Sequence, residues 1–263
     1  MKSVFVNDTL MTYSETGDPA APTLLLLSGW AQDQRLFKNL APLLAADFHV
    51  ICPDWRGHDP AQTVKRDFTA HDLALDLVQF AAQLGLDQFH LVSTSHGCWV
   101  NIEVCETLGT ARLDKTVVID WLMQPHPGFW QQLAEGQDPQ RYAAGRQSFF
   151  DEWAATTSNA DVLNHLRTEM PAYSGEMWMR ACREIESAYR TWGSPLQRMA
   201  GLASKPQVCH IYSQPLSEDY RRLQQDFATS NAWFHPCHIP GTTHFPTLES
   251  PQAVAAAVRN FFK

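Results

Sequence analysis

The stretch LVSTSHGCWV, residues 91–100, decides the fold. An apolar strand, LVST, runs into a turn of small residues and then into a second apolar stretch, with Ser95 at the tip of the turn. That is the layout of a nucleophile elbow, a strand–turn–helix that exposes a serine at the carboxyl edge of a sheet. The usual pattern is G-x-S-x-G, but here it reads S-T-S-H-G, with Ser93 where the first glycine is expected. Whether Ser95 acts as a nucleophile is the question the rest of the chain has to answer.

Outward from the elbow, short apolar runs alternate with helical segments. TLLLLS (Thr23 to Ser28), HVICPD (His49 to Asp54), FHLVST (Phe89 to Thr94) and KTVVID (Lys115 to Asp120) read as buried parallel strands. The clearest helix is His71 to Leu84, where Leu73, Leu77, Phe80 and Leu84 make one apolar stripe and Gly85 ends it. Thr69 and Asp72 supply a capping-box variant at its start. The rhythm then breaks. Residues 124–200 carry no strand pattern but hold Trp130, Phe149, Phe150, Trp153, Met170, Met177, Trp178 and Trp192, which predicts a helical insertion. Strands return at VCHIYS (Val208 to Ser213) and WFHPCHI (Trp233 to Ile239), and Pro251 to Phe262 closes the chain as a helix. The division is therefore a core in two parts, 1–123 and 201–263, around a helical cap, 124–200.

Composition narrows the function. A formal net charge of -8 with no basic run argues against a nucleic-acid partner. The longest apolar strand, Leu24 to Leu27, is far too short to span a bilayer, and MKSVFVNDTL lacks the apolar core of a secretory signal, so a cytoplasmic protein with no membrane partner is expected. The 6 cysteines show no CxxC spacing and read as reduced, buried thiols. Among the 11 histidines only His235 and His238 fall three apart, inside a strand that would point them to opposite faces, so no metal site is expected. No GxGxxG or GxxxxGK[ST] argues for a nucleotide. Nothing in the sequence sets the oligomeric state, and a monomer suffices.

Three segments converge if the sheet is parallel, because ligands bind at the carboxyl ends of its strands. They are Ser95 at the elbow, the SGWAQDQR loop with Ser28, Gly29 and Trp30, and IPGTTHFPTLESP, where His244 lies between the last strand and the last helix. Each is weak alone, since a lone histidine is more often structural. Together, in this order, they point to the α/β-hydrolase fold: a mostly parallel central sheet flanked by helices, with a helical cap inserted after the sixth strand. DWRGHD (Asp54 to Asp59) matches the turn after that fold's fourth strand, with Asp59 replacing the second glycine.

The acid settles the question of Ser95. In this fold it usually follows the strand after the cap, but that turn reads Ser213-Gln214-Pro215-Leu216, with Leu216 at the acid position. An acid does end the strand before the cap, in VVIDW, which gives Asp120. STSHGCWVN, VVIDWL with QPHPGFWQQL, and GTTHFP together resemble the cofactor-free 2,4-dioxygenases of 3-hydroxy-4-oxoquinolines. The resemblance extends nearly end to end, through GRQSFFDEW, DVLNHLR, GEMW and RTWGSPL.

The resemblance implies an enzyme of N-heteroaromatic breakdown that needs neither metal nor other cofactor. Its substrates would be a 3-hydroxy-4(1H)-oxoquinoline and dioxygen, its products an N-acylanthranilate and carbon monoxide. It further implies His244 as general base, Asp120 as the group that orients its imidazole, and Ser95 as a hydrogen-bonding residue rather than a nucleophile. The backbone N–H groups of Trp30 and His96 would hold the oxyanion at ring C4, and Trp153 of the cap would lie over the substrate. Gln32, in the loop beside Trp30, is this chain's own further candidate for lining the substrate. In the loop after Trp30 the family tends to show Cys and His, where this chain has Ala31, Gln32 and Gln34. The alternative on the same residues is a serine esterase-type hydrolase. The preferred 2-substituent of the ring is open at this stage.

Overall fold

A computed structural model describes residues 1–59 and 66–263. Its centre is an 8-stranded sheet in the order β1-β2-β4-β3-β5-β6-β7-β8. The strands are β1 (Lys2–Val6), β2 (Thr9–Thr16), β3 (Thr23–Leu27), β4 (His49–Pro53), β5 (His90–Thr94), β6 (Lys115–Ile119), β7 (Gln207–Tyr212) and β8 (Phe234–His238). From β4 to β8 all neighbours are parallel, while β1 pairs with β2 and β2 with β4 antiparallel. This is the α/β-hydrolase architecture expected, and the six strands β3 to β8 fall where the sequence placed them.

The first two strands are an addition to the sequence reading. They form a hairpin around Asn7, whose φ of 47° provides the tight reversal. Most of their side chains face solvent, Phe5 and Leu10 included, so no continuous apolar run marks them.

The inner strands are buried on both faces. Along β3, Leu25 and Leu27 pack into one apolar cluster while Leu24 and Leu26 pack into the other, and all four are fully buried. Strand alternation delivers this split, and each such leucine contributes about 1.5–3 kcal/mol by leaving water. The helices Ala70–Gln83 and Gly97–Leu108 cover the first face, with Leu73, Leu77 and Phe80 of the former in its cluster. The Thr69–Asp72 capping box is formed in both directions, and Gly85 leaves the helix with φ of 68°. The closing helix, Pro251–Phe262, covers the other face.

Between β6 and β7 the chain from Pro127 to Ala200 is helical, with its longest helix at Gly175–Trp192 and a π-helical turn at His165–Glu169. These helices are fastened to the core at several points. Tyr173 donates from its hydroxyl to Asp33 Oδ2 at 2.8 Å, Asn39 Nδ2 to Asp161 Oδ2 at 2.7 Å, and Tyr189 to the Leu122 carbonyl at 2.5 Å. Among the described residues no helix is long and apolar enough to cross a membrane. All 6 cysteines are free thiols, and His235 and His238 lie together on β8.

Candidate active site

Ser95 sits at the tip of the turn between β5 and the helix Gly97–Leu108, with φ of 52°. A non-glycine residue in this region is strained by on the order of 1–3 kcal/mol, which the surroundings must hold. They do so from both sides. The Ser95 N–H donates to the Ile119 carbonyl of β6 at 2.8 Å. Gly97 packs so tightly on β3 that a Cβ there would collide with the Ser28 carbonyl oxygen. Ser93 fits in place of the first glycine because it lies within β5 and its hydroxyl accepts from Asn101 Nδ2 at 2.7 Å.

Asp120 ends β6 in the same left-handed region, φ 46°, with its N–H on the Ile211 carbonyl of β7 at 2.8 Å. Its side chain is almost fully buried, and its charge is answered locally. Oδ1 accepts from the Ser213 N–H at 2.7 Å, and Oδ2 lies 3.0 Å from the Ser213 hydroxyl. Leu216, at the usual acid position, is 56% exposed and takes no part.

His244 lies between these two. Its Nε2 is 2.7 Å from Ser95 Oγ and its Nδ1 is 3.7 Å from Asp120 Oδ2. With a carboxylate on the Nδ1 side, the neutral ring keeps its proton on Nδ1 and leaves Nε2 as the acceptor. The loop carrying the ring is clamped from behind by Glu249. The N–H and hydroxyl groups of Thr242 and Thr243 all donate to that carboxylate, at 2.7–3.1 Å. Burial works against the charge, yet these hydrogen bonds hold the Glu249 carboxyl below its ordinary value.

The remaining expected residues gather around this centre. Trp30 is buried, with its ring stacked on Phe68 at 6.0 Å between centroids. Among the described residues neither the Trp30 nor the His96 backbone N–H has an acceptor, so both are free to serve an oxyanion. Gln32 folds back on its own loop, where its side-chain oxygen accepts from the Gly29 N–H at 3.2 Å and its carbonyl from the Ser28 hydroxyl at 3.0 Å. Trp153, from the helix Tyr142–Ala155, reaches down so that its ring lies 5.6 Å from that of His244.

The His96 side chain is packed away from this arrangement, against Phe129 and Tyr189. Burial, with His244 adding, pushes its imidazole down to about 3, so it stays neutral. His126 caps the helix Pro127–Gln137 by accepting from the Phe129 N–H at 3.2 Å. The residues that sequence reasoning missed are Ser213 and Glu249, which hold the acid and the histidine loop. Ser213 stands in the turn where an acid was sought, and Glu249 follows His244 by one helical turn; neither type suggests a role without the fold. Among the described residues no group of three or more His, Cys, Asp or Glu side chains could hold a metal ion.

Residues 24–257 match the model of the alpha/beta hydrolase family. The chain is 72% identical to the 1H-3-hydroxy-4-oxoquinoline 2,4-dioxygenase of Pseudomonas putida, over 100% of both chains. It superposes on a solved structure of 1H-3-hydroxy-4-oxoquinoline 2,4-dioxygenase with a TM-score of 0.98 at 71% identity, again over 100% of both. It also resembles a variant of AqdC solved with its substrate, the Pseudomonas quinolone signal, with a TM-score of 0.95 at 35% identity, covering 99% of this chain and 98% of that one.

Proposed function

The chain belongs to the alpha/beta hydrolase family, among its 3-hydroxy-4-oxoquinoline-cleaving dioxygenases, and from that premise we propose how its own residues carry the reaction. The enzyme converts a 3-hydroxy-4(1H)-oxoquinoline to an N-acylanthranilate with release of carbon monoxide, and dioxygen is the co-substrate. We read it as acting in the cytoplasm on a freely diffusing small molecule. The observation that carries the residue assignment is the position of His244, with Nε2 in the site and Nδ1 toward a buried carboxylate.

In this reading His244 Nε2 takes the proton of the substrate's 3-hydroxyl. General base catalysis of this kind is worth about 10²–10⁴-fold. Asp120 fixes the tautomer and stabilises the imidazolium that forms. The organic anion is electron-rich enough to reduce dioxygen directly. The peroxide formed at ring C2 attacks C4, and the bridged intermediate expels the C3 carbon as carbon monoxide. Both atoms of dioxygen end in the N-acylanthranilate, so the substrate and dioxygen account for every product atom.

The unpartnered N–H groups of Trp30 and His96 would stabilise the negative charge at the C4 oxygen, where donors aimed in advance need no reorganisation. Ser95, close to Nε2 in the free enzyme, would pass its hydrogen bond to the substrate's 3-oxygen. Trp153 would cover the ring and keep water from the anion, and Gln32 would border the same space with its amide nitrogen.

A second reading keeps Ser95 as the nucleophile of an esterase-type hydrolase. The 2.7 Å approach of Ser95 Oγ to His244 Nε2 favours it, since that contact also activates a serine. Oxygen consumption with 3-hydroxy-4(1H)-oxoquinoline separates the two. Stoichiometric uptake of dioxygen with carbon monoxide release is expected, and ester hydrolysis through an acylated Ser95 without oxygen uptake would decide for the hydrolase.

A further inference from the structure

We infer that Ser213 is a positioning residue for ring cleavage, its hydroxyl coupling the acid Asp120 to the backbone of the loop that carries His244. The inference rests on the roles proposed for His244 and Asp120. Ser213 is buried, one residue beyond β7, and its hydroxyl oxygen has two neighbours: Asp120 Oδ2 at 3.0 Å and the Thr243 carbonyl oxygen at 2.8 Å. Both are acceptors, and a hydroxyl carries one proton. Ser213 therefore serves one of them at a time.

The oxygen it reaches on Asp120 is the one that faces the histidine. Oδ1 is occupied by the Ser213 N–H at 2.7 Å, while Oδ2 is shared between the Ser213 hydroxyl and His244 Nδ1, which stands off at 3.7 Å. While the imidazole is neutral, the charged oxygen is the stronger acceptor and holds the hydroxyl. Once His244 carries the substrate's proton, its charged Nδ1–H draws on Oδ2 and makes that oxygen a weaker acceptor for the Ser213 hydroxyl. The Ser213 proton then turns to the Thr243 carbonyl, a rotation about one bond. The peptide it grips is the one that leads into His244, and the N–H of the same Thr243 is already fixed to Glu249 Oε2 at 2.9 Å. His244 thus hangs between an anchor on Glu249 and an anchor on Ser213, and the second one responds to charge.

The titratable groups that feel Asp120, His210 on β7, Tyr220 and Cys98, are all kept uncharged by burial, which pushes the imidazole down to about 4 and the phenol and thiol up. His96, on the elbow, stays neutral through burial. The His165–Glu169 pair of the cap, with Nδ1 and Oε2 2.7 Å apart, lies beyond Phe245.

Ser213→Ala is the variant that tests the coupling, because it removes only the hydroxyl and keeps the N–H on Oδ1. Freed of the hydroxyl, Oδ2 attracts the imidazolium more strongly. The acid limb of kcat/KM should then move to higher pH by roughly half to one pH unit. Because the loop that carries His244 also loses its anchor through the Thr243 carbonyl, the kcat on the plateau should fall by about threefold to tenfold with little change in KM. Titration of the His244 ring by NMR in the ligand-free protein should move the same way, and Ser213→Cys, a weaker donor, should fall between. A folded Ser213→Ala protein whose acid limb and ring titration match the parent, or move to lower pH, overturns the inference. If the ring titration moves as expected while the parent enzyme leaves 3-hydroxy-4(1H)-oxoquinoline uncleaved, the coupling stands and the dioxygenase assignment falls.

Discussion

Asp120 Oδ2 and His244 Nδ1 stand 3.7 Å apart, beyond hydrogen-bond length, in a site where the other imidazole nitrogen is 2.7 Å from Ser95 Oγ. The acid is held by its own neighbours rather than by the histidine. That is the resting arrangement expected of a base that becomes charged only when substrate gives up a proton, because the contact with Asp120 can then shorten.

His244→Ala should therefore lower turnover by roughly two to four orders of magnitude, the usual worth of general base catalysis. Substrate binding should suffer much less. Raising the pH should restore part of the loss, since the 3-hydroxyl then ionises without help. Near-parental turnover at neutral pH would refute the assignment.

Activity should survive exhaustive dialysis against a strong chelator, and the protein should show no absorption band beyond that of its aromatic residues. The motivation is the chemistry of the described side chains, none of which cluster as metal donors. Loss of activity on chelation, restored by one specific metal, would count against the reading.

Stability should fall on mild acidification. Burial pushes the imidazoles of His58 and His210 down to about 4 and that of His96 to about 3, all from an ordinary 6.5. A depressed value in the folded state means that the unfolded chain binds these protons first. The contribution is thus complete above 6.5 and is lost as pH falls toward the folded values, at up to a few kcal/mol for each ring. Tm measured from pH 7 to pH 4.5 checks this, and a flat Tm across that range would show that these rings are not held neutral.

Much of this protein was legible in its sequence, and the parts that were not share a cause. Strands β3 to β7 are two-sided apolar runs, and burial on both faces leaves a signal that no local context disguises. The hairpin at Asn7 buries little and leaves none. Ser95, Asp120 and His244 could be placed because each closes a strand or loop at the same end of the sheet, and topology makes strand ends converge. Ser213 and Glu249 could not, because what matters in them is where a hydroxyl or a carboxylate points once β7 and the closing helices are packed. Gln32 shows the limit from the other side. Its place beside Trp30 makes it a candidate for lining the substrate, but only the fold shows that its side-chain oxygen is taken by the Gly29 N–H, which leaves the amide nitrogen for that role.

The most direct test of the account is oxygen consumption by a Ser95→Ala enzyme supplied with 3-hydroxy-4(1H)-oxoquinoline. If Ser95 only donates a hydrogen bond to a charged oxygen, its loss costs about 1.5–3 kcal/mol, or roughly tenfold to a hundredfold in rate or affinity. Dioxygen uptake and carbon monoxide release should then persist at that reduced level. If Ser95 forms the covalent bond, activity should drop by about a millionfold, as for the loss of a triad serine. Persistent ring cleavage is the result predicted here; abolished turnover in a folded variant, with an acyl group trapped on Ser95 of the parent enzyme, would contradict it.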